Sequence, residues 1–185
     1  RYDMDCLKHA YASYNEHHPD AAVNFIGGVY VEVDTDDTSL EDRLLSENHD
    51  PLLLATSMRS TVGPAMRVPL YAHGVREPLH TPASPRGRCL QDDFIRGLQL
   101  MADKNMPFDA CVRVDELGDL AQACEQVPEA TVIVDHMGNI SDLHNLESSS
   151  DALHRLGKLP NVYVKVSGYP TDDLRFVSTL LDLAQ

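Results

Sequence analysis

Short apolar segments rich in β-branched residues recur at residues 25–33, 52–57, 72–79, 108–112, 131–134 and 162–166. From residue 90 onward they alternate strictly with helical patterns and return roughly every 25 to 30 residues, the length of a βα unit. The segments are near-continuous apolar runs, as strands buried on both faces require, so they specify a parallel sheet covered by helices. Helical spacing of apolar residues predicts helices over 4–14, 40–47, 92–104, 115–126, 150–156 and 172–183, with Asp3 and Asp115 as candidate N-caps. Residues 80–90, rich in Pro, Gly, Ser and Arg, read as a long loop. Residues 1–185 form one α/β domain on this reading. A (β/α)₈ barrel and an open doubly wound sheet both fit. No Gly-x-Gly-x-x-Gly follows a strand, which disfavours a dinucleotide-binding sheet.

Composition narrows the partners. The formal net charge is −14, which argues against nucleic acid and anionic membranes, since both need clustered Lys and Arg. No apolar run approaches the roughly 20 residues of a membrane span. The four cysteines, Cys6, Cys89, Cys111 and Cys124, form no Cys-x-x-Cys pair. They read as reduced structural thiols of a cytoplasmic protein.

Parallel α/β folds carry their chemistry at the C-terminal ends of strands. Read there, the sequence offers Glu32 and Asp34 at the end of the first strand, Arg76 with His80 just beyond, Arg113, Asp135-His136 before a Gly turn, and Lys165. An imidazole beside a carboxylate at a strand end ligates a metal or polarises a carbonyl; the plainer alternative is a turn histidine bonded to backbone. Arg76 and Arg113 on one mouth suit a carboxylate or a polyhydroxylated acid, or else they brace loops through salt bridges. Lys165 is either a buried partner to a carboxylate or an active-site cation. Glu32, an acid in an apolar strand, needs a partner, a metal or a site. Arg86 and Arg88 read as surface or lid residues, and His17, His18, His144 and His154 as solvated.

Taken together, Gly74-Val-Arg76, Gly87-Arg-Cys-Leu90, Phe94-Ile-Arg-Gly-Leu98, Phe108-Asp-Ala-Cys-Val-Arg113, Val134-Asp-His-Met-Gly138 and Asn161-Val-Tyr-Val-Lys-Val-Ser-Gly168 occur in that order. The series resembles the amidohydrolase-related (amidohydrolase 2) TIM-barrel hydrolases, in the branch with fuconolactonase, rhamnono-lactonase and pyrone-dicarboxylate lactonase. The resemblance implies a (β/α)₈ barrel that hydrolyses a sugar-acid or carboxylated lactone, using a divalent metal, usually zinc, or none. It implies that His136 touches the metal or the scissile carbonyl, that Glu32 is a further metal ligand, and that Arg76 and Arg113 hold substrate; His80 and Lys165 join them as candidate contacts.

The departures from that family are specific. Its first strand carries a His-x-His pair, and no His-x-His occurs here. Its eighth strand carries an Asp that activates water. The expectation is therefore a partial barrel lacking the first strand and the last two, inactive on its own. It would be a homo-oligomer or cover its open edges. The rival reading is a non-catalytic partial barrel serving as an oligomeric scaffold.

Overall fold

The computed structural model describes residues 4–33, 35–168 and 174–183. Within them, six parallel strands follow one another in sequence order across a single curled sheet: β1 (Gly28–Val31), β2 (Leu53–Arg59), β3 (Gly74–Pro78), β4 (Phe108–Cys111), β5 (Val132–Val134) and β6 (Val162–Val164). Every neighbouring pair is parallel. The chain folds as part of a TIM barrel of the amidohydrolase type rather than as a doubly wound sheet, for the strand order never reverses.

The helices are α1 (Met4–His17), α2 (Thr38–Ser46), α3 (Asp92–Asp103), α4 (Leu117–Gln126), the single turn α5 (His136–Asn139), α6 (Leu143–Gly157) and α7 (Leu174–Leu183). Asp3 and Asp34, and residues 172 and 173 at the start of the last expected helix, lie outside the described residues. α2 starts where Asp37 accepts a hydrogen bond from the Leu40 amide at 2.9 Å, satisfying one of the donors that every helix start leaves open.

Two of the boundaries that differ from the sequence expectation have a clear local cause. α6 begins at Leu143, seven residues before position 150, and is capped by Asp142, which accepts from the Asn145 amide at 2.7 Å. Its buried stripe runs Leu146, Ser149, Ala152, Leu156, and the serine at an apolar position breaks the pattern that sequence reading relies on. Before α4, residues Val114–Glu116 form a 3₁₀ turn. Asp115 caps nothing there; it pairs with Arg86 at 2.5 Å on the surface.

The core lies between the outer face of β3–β5 and helices α3, α4 and α6. Phe94, Leu98, Leu120, Val75, Phe108, Val132 and Val134 are fully buried in it. Phe94 and Phe108 meet edge to face with centroids 5.5 Å apart, the arrangement that the ring quadrupoles favour. Arg88 is also interior, which corrects the surface reading. Its guanidinium reaches Glu77 at 2.9 Å, Asp93 at 2.8 Å, Gln91 at 3.0 Å and the Val62 carbonyl at 2.6 Å, and it lies over the Phe94 ring. A buried guanidinium with this many acceptors fastens the 80–90 loop to the barrel. Cys89, Cys111 and Cys124 are buried free thiols. Burial pushes Cys89 up, and Cys124 up to about 12, so both remain protonated.

Burial is uneven along the sheet. At its two edges, Val29 on β1 and Tyr163 on β6 are each 58 % exposed, and Ile26 and Val33 beside β1 exceed 70 %. Among the described residues no helix is long and apolar enough to cross a membrane.

Candidate functional site at the strand C-termini

Side chains alternate across a strand. With Val75, Phe108, Ala110, Val132 and Val134 turned to the helices, Arg76, Asp109, Asp135 and Lys165 come to the opposite, concave face near the strand ends. Arg76 and Asp109 are register partners. Asp135 and Lys165 directly follow β5 and β6, their backbones tied by the bonds Asp135 N–H to the Ala110 carbonyl and Lys165 N–H to the Val134 carbonyl, both 2.9 Å.

These residues form one charge cluster. Lys165 Nζ donates to Asp109 Oδ1 at 2.6 Å and to Asp135 Oδ1 at 2.7 Å. Arg76 donates to the Glu32 carbonyl at 2.9 Å; its Nη1 lies 3.8 Å from Glu32 Oε2 and its Nε 3.6 Å from Asp135 Oδ2. The acid side chains are almost fully buried, and Arg76 nearly so, while Lys165 keeps 35 % of its side chain exposed. Burial pulls the Lys165 ammonium down, but the hydrogen bonds to Asp109 and Asp135, with their charges, outweigh it and hold it above the ordinary lysine range. Lys165 is thus a permanent cation at neutral pH. An ammonium has three donors, and the two carboxylates take two of them.

His136 opens the turn after β5. Its Nδ1 is 2.9 Å from Ser167 Oγ, just past β6. The turn is backbone-strained: φ is +51° at His136, +50° at Met137, +74° at Gly138 and +60° at Asn139. For the three non-glycine residues each such conformation costs about 1–2 kcal/mol. It is held from several sides, by Met137 N–H to the Lys165 carbonyl at 3.1 Å, Gly138 N–H to the Asp135 carbonyl at 2.8 Å and Asn139 Nδ2 to the Val112 carbonyl at 2.7 Å.

The other expected site residues go elsewhere. Arg113 braces a loop: it donates to Glu116 at 2.5 Å, to the Ser84 carbonyl at 2.6 Å and to the Thr81 carbonyl. His80 is exposed, as are His17, His18, His144 and His154. Glu32 and His136, the expected metal ligands, make separate contacts, Glu32 with Arg76 and the Thr35 amide and His136 with Ser167. Among the described residues no group of three His, Cys, Asp or Glu side chains is arranged to hold a metal ion. Three acids, Glu32, Asp109 and Asp135, share the two cations Arg76 and Lys165, and an ion among them would compete with those pairs, so these described residues do not fit a resident divalent ion.

Sequence reasoning passed over Asp109 and gave Ser167 no role. The signal for Asp109 was the one used for Glu32, an acid within an apolar strand. An apolar cavity of about 530 Å³ between α1, α2 and β1 has no His, Lys or Arg in its lining. Its ionisable lining groups are Asp37, Glu41 and Tyr30, the last hydrogen-bonded to Glu41.

A parallel half-barrel with ionisable groups gathered at its C-terminal mouth defines the TIM-barrel enzyme class. The amidohydrolase family model matches residues 12–184, and the chain belongs to the amidohydrolase family. It is 50 % identical to amidohydrolase 2 from Bifidobacterium longum subsp. infantis, with a TM-score of 0.85 over 100 % of this chain and 68 % of that one. A zinc-bound amidohydrolase from Burkholderia multivorans is 22 % identical, with a TM-score of 0.73 over 99 % of this chain and 68 % of its own. A Pseudomonas putida protein assigned as a 2-pyrone-4,6-dicarboxylic acid hydrolase is 18 % identical, with a TM-score of 0.59 over 94 % of this chain and 66 % of its own. The latter two share the fold. No curated protein matches the chain.

Proposed function

We propose that these strands carry the central part of a hydrolase site that opens a sugar-acid or carboxylated lactone. The observation that carries the reading is the pairing of a fixed cation, Lys165, with a positioned imidazole, His136, on adjacent strand ends, in a member of the amidohydrolase family. Lys165 keeps one N–H beyond its two carboxylate bonds, and that donor suits the oxygen of a polarised carbonyl. His136, engaged at Nδ1 by Ser167, has Nε2 for proton transfer or for a second hydrogen bond to the carbonyl. Arg76 Nε–H is buried and faces Asp135 at 3.6 Å, so a substrate carboxylate or hydroxyl reaches Arg76 by displacing one of its acid partners.

In the reaction, water adds to the acyl carbon, the ring C–O bond breaks, and the ring oxygen leaves with a proton as an alcohol. The likeness to the pyrone-dicarboxylate protein supports a carboxylated lactone. The test is a panel of γ- and δ-lactones with and without a free carboxylate or hydroxyls, followed by acid release, with simple esters and amides alongside. These 185 residues carry no His-x-His pair and are expected to be inactive alone; in a barrel that supplies that pair and the water-activating Asp, ring opening confined to carboxylated or polyhydroxylated lactones is expected. Turnover there of esters or amides alone, or of nothing in the panel, refutes the reading.

The exposed apolar side chains at the open edges β1 and β6 favour self-association, because an unpaired strand edge is a template for another chain. A homo-oligomer of this chain is expected by light scattering at micromolar concentration; a monodisperse monomer of 20.5 kDa refutes it.

A further inference from the structure

We propose that Ser167 is a positioning residue for His136: its hydroxyl engages Nδ1, so that Nε2 alone is presented to the reacting carbonyl, and Gly168 permits the close approach. The assignment rests on the hydrolase reading of His136 above. Ser167 and His136 are 31 positions apart and follow different strands, yet Oγ and Nδ1 lie 2.9 Å apart, so the contact is made by the sheet and not by local sequence. Next to it, Gly168 has φ +71°, and a Cβ there would stand 2.6 Å from His136 Nδ1 and 2.9 Å from its Cγ. Real Cβ atoms do not approach that closely, so any side chain at 168 would push the ring away. The strained left-handed turn beginning at His136 is tied to the same place, through Met137 N–H on the Lys165 carbonyl at 3.1 Å. Backbone strain of this kind persists only where the surroundings over-determine it, and it clusters at functional sites.

A hydrogen bond at Nδ1 fixes the rotation of the ring and occupies that nitrogen in either tautomer, because a hydroxyl both donates and accepts; Nε2 is left for the substrate. Structural stability alone needs neither. The loss of one hydrogen bond that orients the reacting group corresponds to a rate loss of roughly threefold to tenfold.

The experiment uses the full chain with ¹⁵N-labelled histidine. S167A is expected to shift the Nδ1 resonance of His136, whose hydrogen bond is lost, and S167T, which keeps the hydroxyl, is expected to retain the wild-type position. On the lactone that the panel identifies, S167A lowers kcat by threefold to tenfold with KM held within twofold, and S167T restores it. Unchanged ring resonances in S167A, or an S167T that behaves like S167A, overturn the positioning role. A shifted ring with an unaltered kcat overturns it as well. Failure of the hydrolase reading shows separately, as H136N turning over the panel like wild type, whatever Ser167 does to the ring.

Discussion

Replacement of Lys165 by methionine is expected to lower the unfolding free energy by about 2–3 kcal/mol. Lys165 is the cation that Asp109 and Asp135 share, at 2.6 and 2.7 Å, and those two side chains are only 4 % and 5 % exposed. Methionine keeps the length and the apolar stem but leaves two carboxylates in the barrel interior without their common ammonium. Stranding one partner of a fully buried pair costs about 3–5 kcal/mol. Here the ammonium is 35 % exposed, so solvent already screens part of the interaction and the lower figure applies. For a chain of this size the loss corresponds to a fall in Tm of about 5–10 °C.

The pH dependence follows from the sign of the shift. The folded pKa of Lys165 is raised above its ordinary value. Its contribution is therefore complete below the unfolded lysine pKa of about 10.4 and is lost as pH rises through the folded value. The gap between wild type and K165M stays level across neutral pH and closes in strongly alkaline solution. Thermal unfolding followed by circular dichroism at a series of pH values checks both parts. A Tm change under 2 °C, or a gap that widens with alkali, would remove the cluster as a source of stability.

The second large effect is on turnover. His136→Asn is expected to lower kcat by about 10²- to 10⁴-fold, the range in which a positioned general acid or base contributes. Asparagine is chosen because position 136 has φ +51°, a conformation that asparagine tolerates better than alanine does. The turn then keeps its shape and the change tests the imidazole alone. An unchanged Tm with collapsed kcat and a KM within a few-fold of wild type places His136 in the transition state rather than in ground-state binding. A loss below tenfold would put the chemistry elsewhere on the mouth, with Lys165 and Arg76 the next side chains to vary.

Much of this arrangement is legible in the sequence. The six apolar runs mark six strands because burial on both faces leaves no other composition open to a parallel sheet. Arg76, His136, Glu32 and Lys165 were located because strand C-termini are where such folds place polar groups. The alternatives left open for Lys165 and Arg113 were settled by packing, and the surface reading of Arg88 was overturned by it. Lys165 is both partner to carboxylates and cation at the mouth. Arg113 is a loop brace, satisfied by Glu116 and two carbonyls of the 80–90 loop. Arg88, set in a stretch that looked like a surface loop, is buried because Glu77, Asp93, Gln91 and the Val62 carbonyl converge on it.

Periodicity and strand-end position, then, are local properties, carried by a few neighbouring side chains, and they specify where strands run and which face of each is polar. Partnership is not local. Lys165 meets Asp109 across 56 positions, and Arg76 meets Glu32 across 44. Those meetings depend on the register between strands and on the curl of the sheet, which brings β1, β3, β4, β5 and β6 around one mouth. Asp135 with Lys165, and His136 with Ser167, meet through the register of the adjacent strands β5 and β6. Glu32 with Arg76, Arg76 with Asp135 and Asp109 with Lys165 join strands two apart, and those meetings take the curl of the sheet.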